Sequence, residues 1–330
     1  MTRLTAGLLA VLALQDPKKP PPADDTVLLK PRKIFEADGV FGPGVMLADG
    51  RTFVCGYSFD AAEPSDLLVA DLPGGRGKRC GPKEAWASLT AAGDRLAAIT
   101  AKFKALTMKP DGTDAKPWGD LPPTTIAAAF APDGVRVAVL AYEGKYSLRT
   151  LEAENPPTTV TEAVDESSAP LWSPDGKRIA FLKAKAGRAE LWMAASAAGA
   201  VAANLSEGLE AASSPVWSSD GKMIAFVAGG KSIAVADMDS GKGRVLVTCE
   251  AAVGPPAWAP AGDAVLFREP RGEKPPGLAL AGVDGKTVRR FRLEPSPAST
   301  YGFTPDGSQV VYRLGRADVV MYFWVVDVPK

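Results

Sequence analysis

Residues 170–181 read PLWSPDGKRIAF, and the same phrase returns at four other places. It is PVWSSDGKMIAF at 215–226, PAWAPAGDAVLF at 256–267, AAFAPDGVRVAV at 128–139 and YGFTPDGSQVVY at 301–312. Each copy places a short apolar run before a Pro-Asp-Gly-like turn and a second apolar run after it. Proline presets φ, aspartate bonds to neighbouring backbone and glycine accepts a positive φ, so the triplet is a turn with a mechanism. Aligned on its glycine, the turn falls at Gly50, Gly93, Gly134, Gly176, Gly221, Gly262 and Gly307, a recurrence of 41 to 45 residues. A unit of that length cannot bury a core alone, and such periods mark repeat architectures.

A second glycine follows the third apolar segment of most units, at Gly74, Gly112, Gly199, Gly241 and Gly285. Two turns in fixed order and four β-like segments, with Pro and Gly returning often between them, describe a propeller blade and not a helical unit. The fold expected is all-β, a seven-bladed β-propeller of four-stranded antiparallel blades; six blades plus a stray unit is the alternative. The last unit supplies three strands before Lys330. The segment 26–39, TVLLKPRKIFEADG, reads as the missing fourth, so the N-terminus is expected to close the ring on the last blade and protect its edge.

These residues resemble the TolB-type β-propeller repeat family, relatives of the WD repeats. The motif runs from Trp172 to Phe181, Trp217 to Phe226 and, less completely, Trp258 to Phe267. Other apolar residues stand in for the tryptophan at Leu47, Leu89, Phe130 and Phe303. The resemblance covers roughly residues 40–330 and implies the fold much more than an activity. TolB proteins carry an α/β domain ahead of the propeller, and the space between Asp25 and the first unit has no room for one, so no partner residues carry over. Peptidase propellers share the repeat, but no Gly-x-Ser-x-Gly nucleophile elbow is present.

Composition narrows the chemistry. The chain has 330 residues, 38 basic against 38 acidic and no histidine. The balance removes the bulk attraction to nucleic acid, and the missing histidine excludes Ser-His-Asp and Cys-His catalysis and histidine metal sites. Asp133, Asp175, Asp220 and Asp306 lie on separate turns and read as turn chemistry, since calcium requires six to eight converging oxygens. Trp172, Trp217 and Trp258 recur at one position of the unit and read as packing between blades, as do Gly134, Gly176, Gly221, Gly262 and Gly307 as turn formers. Cys55 and Cys80 fall two strands apart in one unit, beyond disulfide reach, and Cys249 is remote; three unpaired thiols are expected.

The loops between second and third strands are the candidate binding face, because contacts concentrate on loops over a rigid scaffold. They include YSFDAAEPSD (57–66), KAKAGR (183–188), REPRGEKPPG (268–277) and LGRAD (314–318), with Asp60, Glu63, Lys185, Arg188, Arg268, Arg271, Lys274 and Arg316 as candidate residues. No cofactor and no catalytic residue are assigned.

At the N-terminus, one Arg precedes the apolar run Leu4–Leu14, with Val11-Leu12-Ala13 as a cleavage site. That order is a secretory signal, too short to span a bilayer, which needs about 20 residues. Residues 1–15 are read as signal peptide, 16–25 (DPKKPPPADD) as a Pro-rich linker and 26–330 as one propeller domain. The expectation is a periplasmic or secreted monomer with no transmembrane span, binding an envelope protein, peptide or glycan. The alternatives are a propeller enzyme with a carboxylate-held metal or quinone in its channel, and a peptidase-type propeller lacking its catalytic domain. Deleting residues 1–15 is predicted to abolish export, measured by cell fractionation; unchanged export would overturn the signal assignment.

Overall fold

The computed structural model describes residues 27–38, 40–46, 52–58, 65–71, 76–152, 155–162, 169–272, 274–294, 300–304, 306–315 and 320–328. The segments assigned as signal peptide and linker lie outside the described residues. No helix occurs among those described, and seven separate sheets account for the strands.

Strands within a blade are lettered A to D in chain order. Blade 1 is Val40–Met46, Thr52–Ser58, Ser65–Asp71 and Arg76–Glu84. Blade 2 is Trp86–Ala92, Arg95–Thr100, Lys104–Met108 and Lys116–Asp120. Blade 3 is Thr125–Phe130, Arg136–Tyr142, Tyr146–Glu152 and Thr158–Glu162. Blade 4 is Leu171–Trp172, Arg178–Lys185, Arg188–Ala195 and Ala203–Asn204. Blade 5 is Ala212–Trp217, Met223–Ala228, Ser232–Asp237 and Lys242–Thr248. Blade 6 is Ala257–Trp258, Ala264–Arg271, Lys274–Gly282 and Val288–Leu293. Blade 7 takes Thr300–Phe303, Gln309–Gly315 and Val320–Asp327 from the end of the chain. The A strands of blades 1 to 4 contact one another in succession, as do those of blades 5 to 7, which places them around the axis. Seven blades, and not six with a remnant, form the ring.

The N-terminal segment closes it with more structure than one strand. Two strands form, β1 (Val27–Leu29) and β2 (Arg32–Asp38). β2 pairs antiparallel with strand C of blade 7 and completes that blade. β1 pairs parallel with the outer strand of blade 6, Val27 opposite Phe291 and Leu29 opposite Leu293, making that sheet five-stranded. The sequence reading had one strand over 26–39. Pro31 sits at the break, where a missing N–H and a fixed φ interrupt a ladder.

Strand B shows why a blade needs neighbours on both sides. In blade 5 the run Ile224 to Ala228 is buried throughout. Ile224, Phe226 and Ala228 belong to the cluster shared with blade 4, whereas Ala225 and Val227 belong to the cluster shared with blade 6. Blade 4 divides alike: Ile179 and Phe181 pack toward blade 3, Ala180 toward blade 5. A strand covered on both faces reads as a continuous apolar run and not as an alternation. Fully burying a side chain the size of Phe181 or Phe226 stabilises by about 1.5–3 kcal/mol, and here that gain exists only when the adjacent sheet is in place.

No disulfide joins the three cysteines; Cys55 is buried and the other two are half-buried. Cys55 pairs with Leu68 and Cys80 with Leu67, so strand C of blade 1 separates them.

Truncation separates the two closing strands. Removing residues 1–31 takes β1 while leaving β2 in place and is predicted to lower the melting temperature modestly. Removing residues 1–38 also strips β2, leaves strand C of blade 7 as an open edge and is predicted to give aggregation on heating. Scattering-monitored melts check both, and equal behaviour of the two truncations would contradict the assigned roles.

Candidate functional site

The up-and-down order of each sheet gives the ring two unlike faces. A–B and C–D turns share one, here the turn face. B–C hairpins and blade-to-blade connectors share the other, the hairpin face.

On the turn face the motif residues bond among themselves. Ser173 and Asp175 lie 2.5 Å apart, Asp175 accepts the Lys177 N–H at 3.0 Å and Ser173 Oγ accepts the Arg178 N–H at 3.0 Å. Ser218 and Asp220 repeat the knot with Lys222 and Met223, and Thr304 and Asp306 with Ser308 and Gln309. Gly134, Gly176, Gly221, Gly262 and Gly307 all adopt φ between 66° and 73°, the left-handed region that only glycine enters without strain. Asp133 instead accepts from Arg136 and from two turn N–H groups. The hydroxyl of Ser173 holds the Asp175 carboxyl below the usual range, the Lys222 N–H does so for Asp220, and the Thr304 hydroxyl for Asp306.

The tryptophans join blade to blade. Trp172 Nε1–H donates to the Ala129 carbonyl at 3.0 Å, Trp217 to Leu171 at 3.1 Å and Trp258 to Val216 at 3.0 Å. Each acceptor is the residue just before the aromatic of the preceding blade. Strand A is the inner edge of its sheet and has unpaired carbonyls, so each indole satisfies one of them. Trp118 on strand D of blade 2 donates to Val135 at 2.8 Å and meets Phe130 edge-on, linking blades 2 and 3, where the motif position holds a phenylalanine.

Two arginines extend these links, and sequence reasoning passed over them. Arg136 lies over the Trp172 ring at 5.0 Å, and Arg178 lies over Trp217 at 5.4 Å. Arg178 also donates to the Gly221 carbonyl at 3.0 Å, and a Cβ on Gly176 would fall 2.6 Å from Arg136 Nη2. Both sit two residues after a turn glycine, as Arg95 does. That spacing was the available signal.

The hairpin face holds the candidate binding residues. Lys185 pairs with Arg188 across a two-residue turn in which Ala186 and Gly187 both have positive φ. The segment 268–277, read as a long loop, is instead a hairpin arm. Arg268 pairs with Leu278, Glu269 with Gly277 and Arg271 with Lys274. Pro270 sits at the register shift between Glu269 and Arg271, where a ladder tolerates a missing N–H. The strands therefore run further than expected, and Arg268, Arg271 and Lys274 are strand residues. Asp60, Glu63 and Arg316 lie outside the described residues.

Two polar clusters stand at this end of blade 6. Glu269 is 7% exposed and takes Arg290 Nε on both oxygens, at 3.0 and 2.9 Å. Cys249 Sγ lies 3.7 Å from the same carboxylate, and burial, then the Glu269 charge, pushes its thiol to about 11, which keeps it protonated and unreactive. On the opposite side of the sheet, the Tyr301 hydroxyl accepts the Arg268 N–H at 2.7 Å and donates to the Pro255 carbonyl at 2.5 Å. Burial raises this phenol to about 12, so it stays neutral. Among the described residues no three His, Cys, Asp or Glu side chains converge as a metal site, and no helix is long and apolar enough to cross a membrane.

A closed ring of seven four-stranded blades, pinned by a WSPDG-type turn and its tryptophan, defines a propeller of the TolB repeat class. The sequence profile of the TolB beta propeller domain matches residues 111–301, more than half of the chain, and the chain belongs to that family. Among solved structures it is similar to an oligogalacturonate lyase in complex with manganese: TM-score 0.68, 14% identity, 86% of this chain and 87% of that one. The oligogalacturonate lyase of Vibrio parahaemolyticus gives a TM-score of 0.67 at 11% identity over 93% of both chains. A putative TolB from Agrobacterium tumefaciens gives 0.52 at 18% identity, covering 82% of this chain and 100% of that one. At such identities the likeness is one of fold.

Acidification tests the turn knots. Carboxyls held below their unfolded value contribute stability that is present above the ordinary carboxylate range and lost as pH falls through it. The melting temperature is predicted to be flat from about pH 7 to 5 and to fall below about pH 4. Asp175→Asn should melt lower than wild type at neutral pH, with the gap closing at low pH; a gap that persists in acid would contradict the account.

Proposed function

We propose that the chain is an exported, non-catalytic propeller that binds a protein, peptide or glycan of the cell envelope through its hairpin face. The difference between the two faces carries this reading. On the turn face the Asp, Ser, Trp and Arg side chains of the motif are engaged in holding blades together, so a ligand there would compete with the fold. On the hairpin face Lys185 is 64% exposed with only a 3.6 Å contact to Glu190, and Arg188 and Lys231 are exposed as well. A rigid ring presenting adaptable tips is how scaffolds present contacts. Export rests on the signal-like order of residues 1–15.

A second reading, a propeller enzyme with a carboxylate-held metal in the channel, draws on the fold likeness to oligogalacturonate lyases, one of them with manganese bound. Elemental analysis of purified protein separates the two, since stoichiometric, tightly held metal would favour the enzyme. For the binding reading, tagged protein is used to capture partners from envelope fractions. Lys185→Glu with Arg188→Glu is predicted to lower recovery of the captured species about tenfold, while the turn-face pair Lys177→Glu with Lys222→Glu retains it. The reverse pattern would refute the assigned face.

A further inference from the structure

The outer edge of blade 6 is covered by a strand that fits it poorly. β1 supplies three residues and pairs parallel. Only Lys30 and Pro31 join it to β2, which docks on a different blade. In the ladder Val27 stands opposite Phe291, Leu28 opposite Arg292 and Leu29 opposite Leu293. Residues opposite one another in a sheet share a side, and successive residues alternate. Val27 and Leu29 therefore lie on the side of Phe291 and Leu293, toward blade 7. Leu28 lies with Arg290 and Arg292 on the other side.

Each of the three positions is incompletely matched. Val27 is still 47% exposed. Leu29 leaves an apolar cavity of about 10 Å³ among itself, Leu278, Phe291, Val326 and Val328, enough for about one water-sized atom. Its lining loses dispersion contacts to that gap. Leu28 is 45% exposed and has a guanidinium as its cross-strand neighbour. Arg290 on that side is engaged by Glu269. Arg292 meets Glu294 at 3.5 Å with 47% and 73% of the two side chains exposed, a pairing that contributes little. The edge is therefore complementary to an apolar residue, then an acid, then an apolar residue longer than leucine. The chain's own Val-Leu-Leu meets that pattern only in part.

We infer that the outer edge of blade 6 is a docking slot for an extended acidic segment of a protein partner, which displaces β1 and joins the sheet in its place. Strand addition takes affinity from main-chain hydrogen bonds and selectivity from alternate side chains. In this register the partner's Asp or Glu stands where Leu28 does and pairs with Arg292, and a Met in the next position fills the cavity at Leu29. Lys30, Arg290 and Arg292 are all exposed and give the slot a basic surround that suits an acidic occupant. A second copy of this chain would bring the same Val-Leu-Leu strand and fit no better. Release of β1 leaves the ring closed, because β2 alone completes blade 7. The slot lies on the rim, apart from the hairpin face, so the inference stands or falls independently of the function proposed for that face.

The test uses full-length protein and fluorescein-labelled peptides, read by anisotropy at low ionic strength. One peptide has the sequence of residues 26–31; in the other, glutamate and methionine replace its two leucines. The substituted peptide is expected to bind wild type at least about tenfold more tightly than the native one. Arg292→Glu should weaken that binding about tenfold and leave the melting temperature unchanged, and it should prefer a peptide with lysine in the glutamate position. Placing the better residues in the chain itself gives the complementary result. Leu28→Glu with Leu29→Met is expected to raise the melting temperature by about 1–2 °C. The same protein should bind the substituted peptide at least about tenfold more weakly, since its tethered strand then holds the slot. No binding by wild type, binding indifferent to Arg292→Glu, or a lower melting temperature of the double variant would each overturn the inference. Undiminished binding by the double variant would place the peptide on the free edge of β1 and overturn the displacement. Dimerisation of wild type that the native peptide reverses would assign the edge to a second copy and overturn the acidic partner. Lys185→Glu with Arg188→Glu should bind the peptide as wild type does, and a loss there would overturn the assignment to the rim.

Discussion

A sheet that is apolar on both faces has to be covered on both faces, and each blade of this protein is such a sheet. Strand B makes the constraint explicit, because consecutive residues of one strand supply two different clusters on its two sides. No blade has a stable form alone, and an open row of blades would leave two sheets half-covered at its ends. Closing the ring removes both exposed faces at once. The N-terminal segment contributes to the same end by donating β2 to the last blade and laying β1 along the one before it. Joining Arg32–Asp38 to Val320–Asp327 in one sheet ties loss of either to loss of the ring.

Closure leaves a second problem at the axis, where seven A strands each present an inner edge. The indole of one blade answers it by donating to the edge carbonyl of the blade before. The device is fullest at the links between blades 3, 4 and 5, where an arginine also lies over each ring. Between blades 5 and 6 the arginine position holds Met223, and Trp258 keeps its hydrogen bond while remaining half-buried. Between blades 6 and 7 the motif residue is Phe303, which has no donor. Tyr301, two residues earlier on the same strand, then bridges to Pro255 and Arg268. The polar link has therefore moved along strand A toward the hairpin face.

Features set by local backbone chemistry were legible in the sequence. The turn glycines, the aspartates beside them and the count of units all follow from residues within a few positions of one another. Features that depend on contacts a whole blade away were not. Arg136 and Arg178 look like ordinary strand-opening cations until the ring brings the next tryptophan beneath them. The REPRGEKPPG segment has a loop's composition, yet Pro270 falls at the one register shift that accommodates it. Pro31 was visible in the closing segment, but what it divides, an antiparallel strand on one blade and a parallel strand on another, depends on the spacing of two sheets that no local pattern records. Tyr301 was invisible as a polar link for the same reason, since its partners lie 33 and 46 residues away.

The division of labour between faces follows from the direction of the chain. Every A strand ends on the turn face, so the motif that builds the ring accumulates there, and its groups are committed to it. Substitution at those turns disturbs the fold before it alters a surface. The hairpin face receives the strands' other ends, where length and charge vary from blade to blade without breaking a link, as the basic Lys185–Arg188 tip and the Pro-bearing arm of blade 6 show. At that face the backbone of Arg268 is also held by two separate elements, the connector before blade 6 through Gly254 and strand A of blade 7 through Tyr301.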